Sequence, residues 1–383
     1  MSRKFEIPRV IITGRGSHAE LKNLALLEDK QKALLICDNE RVDTEVESNI
    51  KRDLESRGVK ITEFRDATTQ VRSDQLEQGR EYLDQKEFDI VIALGGRGAI
   101  QLGKLLAFMA TNPGAIEDYI GPDSGRKPSL PVIAVAMTAG SGAAISHCAC
   151  FFNKQNLTRS SICDQFLLPT VAILDPGLKA WQQPQEIASD GLSSLSYAIE
   201  SIVSDEASPV TDACALSAIT LICQWLPVTY AHGHDLDARE QLMYAQQLVS
   251  MAVFNSSPST LCRLATQIEA LIHIRFGYAV AALLPHLLDH FHKQIPKRID
   301  MIGEAMWRAE VSSGNGGDTR PGTSELMRRF IQRLDIPLQL SFEGLEEEHI
   351  ATLKKSLEGD HYGRPADHPN PMDMMIDILR KAL

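Results

Sequence analysis

The stretch Phe88-Asp-Ile-Val-Ile-Ala-Leu-Gly-Gly-Arg-Gly-Ala-Ile-Gln-Leu-Gly-Lys104 decides the fold. Its first part is a nearly continuous apolar run without polar alternation. That is the pattern of a strand buried on both faces, as in a parallel sheet. Gly95 and Gly96 end the run in a turn, and from Ala99 the apolar residues recur at helical spacing. Working outward, the same alternation repeats. Val10-Ile-Ile-Thr13, Lys32-Ala-Leu-Leu-Ile-Cys-Asp38, Val59-Lys-Ile-Thr-Glu-Phe64 and Pro131-Val-Ile-Ala-Val-Ala-Met137 read as strands. Residues 43–57, 73–87 and 99–111 read as the helices between them. The first ~180 residues therefore predict a parallel sheet with helices on both faces.

Beyond Pro184 strand signals vanish. Residues 184–204, 208–226, 236–256 and 276–293 are helical and strongly apolar on one face, and further helices are expected over 295–309, 321–334, 346–357 and 369–382. Val311 to Gly322 is a turn-rich loop. The reading is an α/β domain over 1–183 and an all-α domain over 184–383.

Composition supports two domains. The chain has 383 residues, 44% of them hydrophobic, and 39 Lys+Arg against 50 Asp+Glu give a net charge of −11. That balance argues against general nucleic-acid binding, which runs on clustered cations. No apolar run reaches the ~18–20 residues of a membrane helix, and no leader is visible at the N-terminus. Seven cysteines, an odd number mostly in apolar runs, read as reduced, buried thiols of a cytoplasmic protein.

Ligands of parallel sheets bind beyond the carboxyl ends of the strands. Three features lie at that edge. Gly95-Gly96-Arg97-Gly98-Ala99 opens a helix whose N–H groups suit a phosphate, although a tight turn needs the same glycines. Asp38 fits either a ribose diol or a turn. Thr138-Ala-Gly-Ser141-Gly142 offers hydroxyls and N–H groups. Gly98 to Lys104 nearly matches a P-loop, but Leu105 replaces the Mg²⁺-binding hydroxyl and Ala99 onward is helical. The His286, His290, His292 cluster, His147-Cys148-x-Cys150 and His232-Gly-His234 read as surface or core positions rather than metal sites.

In the order and spacing of Ala93 to Lys104, Met137-Thr-Ala-Gly-Ser-Gly142, Val171-Ala-Ile-Leu-Asp-Pro176, Ala198-Ile-Glu200, Ser208 to Leu216, Ala238-Arg-Glu240 and Leu283-Leu-Pro-His286, the chain resembles the iron-containing (group III) alcohol dehydrogenases. It resembles their lactaldehyde/propanediol oxidoreductase branch. The resemblance covers nearly the whole chain. It implies a dehydroquinate-synthase-like fold, an α/β Rossmann-like domain plus a helical domain. It further implies NAD binding, a small alcohol or aldehyde as substrate, and a homo-oligomer, commonly a dimer. The family's cofactor positions fall on Asp38, Gln70, the Gly95–Ala99 turn, Thr138, Ser141, Ser146 and Arg159. Arg97 stands where the family has glycine, and Gln101 where it has Asp. A carboxylate at Asp38 would repel a 2′-phosphate, which favours NAD over NADP. Arg97 either clamps the pyrophosphate or fills its site.

The resemblance also implies Fe²⁺ or Zn²⁺ held by one Asp and three His. Those positions fall on Ser193, Tyr197, Cys262 and Phe276, and a nearby active-site His falls on Thr266. One alcohol, one phenol, one thiol and one phenyl ring do not supply the three or more good donors a divalent ion needs. The expectation is an NAD binder without the metal. Tyr197 is a candidate general acid. Two alternatives stay open: a metal-independent oxo-acid or aldehyde reductase, and a dehydrogenase whose site is rebuilt from Asp190, Cys262 and His273.

Overall fold

The structure, a computed structural model, describes residues 4–38, 44–68, 70–137, 142–154, 158–178, 183–256, 260–358 and 371–383, without the side chains of Thr44, Thr158, Arg159, Thr260 and Pro371. It divides into two compact units, Met1–Trp181 and Gln182–Leu383.

In the first unit, β1 (Val10–Thr13), β2 (Lys32–Asp38), β3 (Lys60–Ala67), β4 (Ile90–Gly95), β6 (Val132–Ala136) and β9 (Val171–Leu174) form one parallel sheet in the order β1-β9-β6-β4-β2-β3. Side chains alternate across each strand, so both faces must be covered. Leu34, Ile36 and Val91 pack on one face with α2 (Ser73–Gln85) and α3 (Arg97–Met109). Ala33, Leu35, Ile90, Ile92 and Leu94 pack on the other with α1 (Thr44–Ser56). The chain leaves β2 for β3 in one direction and β4 for β6 and β9 in the other. Strand order therefore reverses between β2 and β4, which puts Asp38 and Gly95 at neighbouring carboxyl ends.

A second sheet, absent from the sequence expectations, joins β5 (Gly121–Pro122), β8 (Thr158–Cys163) and β7 (Cys148–Asn153). Thr-Arg-Ser-Ser-Ile-Cys in β8 has no alternation of large apolar residues, so only pairing with β7 makes it a strand. The register sets Cys148 opposite Cys163, and a disulfide joins them with Cα atoms 4.0 Å apart. This corrects the expectation of seven reduced thiols. Cys37, Cys150, Cys214, Cys223 and Cys262 stand outside the disulfide.

The second unit holds α4 (Pro184–Val203), α5 (Pro209–Ala231), α6 (Leu236–Val253), α7 (Thr260–Ile272), α8 (Phe276–His292), α9 (Pro296–Ser312), α10 (Thr323–Gln332), α11 (His349–Glu358) and α12 (Pro371–Ala382) around one apolar core. Helix α5 starts at Ser208, whose Oγ accepts the Thr211 N–H at 3.2 Å, with Pro209 in the first turn. It continues past Pro227 to Ala231, beyond the expected end. By length and composition it is apolar enough to cross a membrane, which corrects the sequence reading. Its buried Ala215, Ala218, Ile219, Ile222 and Leu226 share one face, and α4, α6 and α9 pack around it. Helix α7 was not expected, yet Leu261, Leu264, Ala265 and Ile268 carry its period and are buried.

Gly277, in the first turn of α8, fixes where that helix meets α4. A Cβ there would lie 2.2 Å from the Ser189 carbonyl oxygen, and the Gly277 N–H donates to Ser189 Oγ at 3.2 Å. Backbone cannot step aside as a side chain can. Gly277→Ala should therefore lower unfolding free energy by about 2–3 kcal/mol, the range of overpacked cores. Urea unfolding checks this, and a change below about 0.5 kcal/mol would show that α8 shifts freely.

Candidate functional site

At the carboxyl edge of the large sheet, Leu94 stands in register with Cys37, Gly95 with Ala136, Ala136 with Leu174, and Leu174 with Thr13. The strand ends of β2, β4, β6, β9 and β1 thus form one rim. Gly95 has φ +144°, and a Cβ on it would sit 2.7 Å from the Asp38 Cβ. Glycine is required here for both backbone conformation and space. Gly96 is the N-cap of α3, and α3 begins at Arg97, two residues earlier than the apolar period indicates. Gly98 and Ala99 are buried, Arg97 is exposed, and Asp38 is buried at the end of β2. An exposed guanidinium in the first turn of α3 extends a field that already favours anions.

Of the other expected cofactor residues, Gln70 is exposed in the turn after β3, and its carbonyl accepts Thr68 Oγ1 at 2.7 Å. Thr138 and Ser141 lie outside the described residues. Arg159 stands opposite Phe152 in the small sheet. Ser146 is buried, and its Oγ is engaged within its own turn, accepting the Cys148 N–H at 2.8 Å and donating to the Cys148 carbonyl at 3.1 Å.

Lys104, to which the sequence reading gave no role of its own, is central to this segment. It is fully buried on α3, and its Nζ donates to the carbonyls of Ser146 and Cys148 at 2.7 Å each and of Ala143 at 3.2 Å. Three ammonium protons meet three acceptors. Burial pushes Lys104 down to about 7. Burial and then the Lys104 charge also lower the neighbouring His147. A second feature that sequence reasoning missed is Asp175, fully buried after β9. It accepts the His18 N–H at 3.1 Å and the Gly177 N–H at 2.9 Å, and it pairs with His18 Nδ1 at 2.7 Å. In the sequence it stands out only as an acid after an apolar run, within Val171-Ala-Ile-Leu-Asp-Pro176 of the resemblance.

In the helical unit the structure brings together three of the four positions that the resemblance assigns to metal ligands. The rings of Tyr197 and Phe276 stack with centroids 6.0 Å apart, and Cys262 Sγ lies 3.6 Å from Tyr197 Oη. Ser193, one turn before Tyr197 on α4, turns its Oγ onto the Ser189 carbonyl at 2.6 Å. Glu200 holds this arrangement. Its buried carboxylate accepts the N–H groups of Leu261 and Cys262 at 3.1 Å each, so it caps α7 and fixes Cys262 beside Tyr197. Thr266 Oγ1 donates to the Cys262 carbonyl at 2.8 Å.

Among the described residues, no three His, Cys, Asp or Glu side chains come together as a metal-holding group. Asp190, Cys262 and His273 are not such a group either. Cys262 and His273 sit at opposite ends of α7, about 16 Å apart at 1.5 Å per residue. On α8, Asp289 pairs with Arg328 at 2.9 Å and His290 bonds Gln294 at 2.9 Å, so that cluster is committed elsewhere. The donor set of alcohol, phenol, thiol and phenyl does not fit a divalent ion.

Comparisons with known proteins agree along the chain. The family model described as iron-containing alcohol dehydrogenase matches residues 8–176, and the model of the C-terminal part of the Fe-containing alcohol dehydrogenase family matches residues 187–383. The chain is similar to alcohol dehydrogenase 4 of Saccharomyces cerevisiae, 29% identical over 380 residues, 99% of this chain and 98% of that one. It is also similar to the NAD-dependent methanol dehydrogenase of Bacillus methanolicus, 28% identical over 379 residues, 99% of each. Among solved structures it resembles a 1,3-propanediol oxidoreductase, with TM-score 0.89, 26% identity and 100% of both chains covered.

The Lys104 site predicts a pH dependence. In the unfolded chain a lysine titrates near 10.5, and in the fold Lys104 titrates near 7. Between these values the unfolded state binds more protons, so unfolding free energy should rise with pH across that window. Urea unfolding at pH 7 and pH 9 should show this rise, and Lys104→Met should reduce it. Equal pH slopes for wild type and variant would refute the assignment.

Proposed function

This chain belongs to the iron-containing alcohol dehydrogenase family, and from that premise we propose that it binds NAD along the rim of its parallel sheet without the family's metal. The observation that carries this reading is the Tyr197–Phe276 stack with Cys262 at its side. An aromatic pair occupies positions where the resemblance places imidazoles, and a phenyl ring coordinates nothing. In the family the metal polarises the alcohol oxygen and lowers its pKa for hydride loss. Nothing at Ser193, Tyr197, Cys262 and Phe276 supplies that charge. The protein is then a dinucleotide-binding member in which metal-dependent alcohol oxidation and aldehyde reduction are lost.

On the dinucleotide side, Asp38 would accept from an adenosine ribose, Gly96 would let backbone approach a pyrophosphate, and Arg97 would add a cation beside it. The exposure of Arg97 supports the clamp over the plug, because a plug would be buried in the turn.

Elemental analysis of untagged protein should give well below one Fe or Zn per chain. A stoichiometric metal lost on Cys262→Ser would overturn the metal-free reading. For the cofactor, Asp38→Ala should weaken NAD by roughly 10- to 150-fold, the equivalent of ~1.5–3 kcal/mol for hydrogen bonds to a charged group. Arg97→Gly should weaken it as well. Calorimetry checks both. Tighter binding by Arg97→Gly would restore the plug, and no binding by wild type at millimolar NAD would refute the dinucleotide reading.

A further inference from the structure

We propose that Cys148–Cys163 is a reversible thiol–disulfide site whose state sets how firmly residues 142–148 are held and thereby how tightly the dinucleotide binds. The effect on affinity rests on the NAD reading above.

The cross-link is placed for that role. Cys148 and Cys163 are both partly exposed, within reach of a reductant. The cysteines outside the disulfide differ. Cys37, Cys150, Cys223 and Cys262 are buried, and burial pushes Cys37 up to about 12. Cys148 is the first residue of β7 and the last of the segment that Lys104 gathers. Its N–H donates to Ser146 Oγ and its carbonyl accepts from Lys104 Nζ. Its partner Cys163 ends β8, next to an anchored residue. The Asp164 carboxylate accepts the N–H groups of Gly125 at 2.7 Å and Phe166 at 2.8 Å, and the Asp164 N–H donates to the His147 carbonyl at 3.0 Å. The disulfide therefore joins the terminal pair of the β7–β8 ladder, Cys148 opposite Cys163, beside the anchored Asp164. Through Cys148 it also fastens the Lys104–Ser146 network.

The exchange needs a dithiol reductant. One of its thiolates attacks a cystine Sγ, the Sγ–Sγ bond breaks, and the displaced cysteine sulfur takes up a proton. The second reductant thiol resolves the mixed disulfide, releasing the other cysteine as a thiol. The protein gains two electrons and two protons, and the reductant leaves as its cyclic disulfide.

The test uses the full chain with dithiothreitol, iodoacetamide mapping, NADH calorimetry and hydrogen exchange. Cys148 and Cys163 should alkylate in the folded protein only after reduction. The NADH Kd should rise about five- to twenty-fold and return on reoxidation with diamide, and residues 142–148 should exchange faster when reduced. The double variant Cys148→Ser, Cys163→Ser should stay at the weaker affinity in both conditions. Equal Kd values in both states would overturn the proposal, as would a pair that remains two thiols after diamide. If neither state binds NADH, the dinucleotide reading fails, and hydrogen exchange alone decides whether the segment responds. Unchanged exchange there would overturn the switch as well.

Discussion

Lys104 places an ammonium group where no water reaches it, and much of the first unit is arranged around that requirement. A buried ammonium needs an acceptor for each proton. The acceptors come from one backbone segment, Ala143 to Cys148. The donor comes from α3, the helix that opens at the glycine turn. One side chain thus ties the turn at the end of β4 to the segment that follows β6. Gly103 makes this possible from the helix side. A Cβ on it would lie 2.7 Å from the Ala93 Cβ, so only glycine lets α3 settle this closely on β4. The small sheet inherits its position from the same network, since Cys148 belongs to both.

The helical unit solves a similar problem with the opposite charge. Glu200 is buried, and its carboxylate is satisfied by two backbone N–H groups at the start of α7. An N-terminal helix end suits a carboxylate through its free N–H groups and its dipole. In both units, then, a buried charged side chain meets backbone groups. Such pairings depend on main-chain position, so they fix segments as well as side chains. Glu200 sets α7 against α4, and Gly277 sets α8 against α4. Together they bring Cys262, Tyr197 and Phe276 to one place.

The sequence made the large sheet legible because its strands are buried on both faces. Ile90 to Leu94 is apolar throughout, as are Ala33 to Cys37 and Val132 to Ala136. The helices of the second unit were legible through their period, with boundaries off by a few residues. Pro227 misled because the neighbours of α5 hold the helix together past a residue that removes one bond. The small sheet was not legible, since β8 is built of small polar residues that become a strand only by pairing with β7. The disulfide was hidden for the same reason: register, not spacing, sets Cys148 against Cys163. At the candidate site, Asp38 and the glycine turn announced themselves at strand ends. The work of Lys104 did not, because its acceptors are carbonyls, which every residue has. Tyr197, Cys262 and Phe276 were brought together by resemblance first. The geometry then showed how an unremarkable Glu200 arranges them.

That arrangement bears on how a metal site could be given up without losing the fold. The contacts that position the four residues are backbone contacts: Glu200 to the start of α7, Ser189 to Gly277, and the Ser193 hydroxyl to its own helix. Apart from the Ser193 hydroxyl, none of them passes through a side chain at a ligand position. A scaffold of this kind tolerates exchange of the four side chains so long as the space they enclose stays filled. A void would cost its lining the dispersion contacts it forfeits, whereas two stacked rings supply apolar area and a favourable ring geometry. Tyr197 and Phe276 meet that condition, with the thiol of Cys262 against the phenol. Aromatic rings at these positions can lie against each other without an ion between them. The proposed metal-free state then needs no compensating change elsewhere in the unit, which is consistent with family anchors such as Ala198-Ile-Glu200 and Leu284-Pro285 standing intact around it.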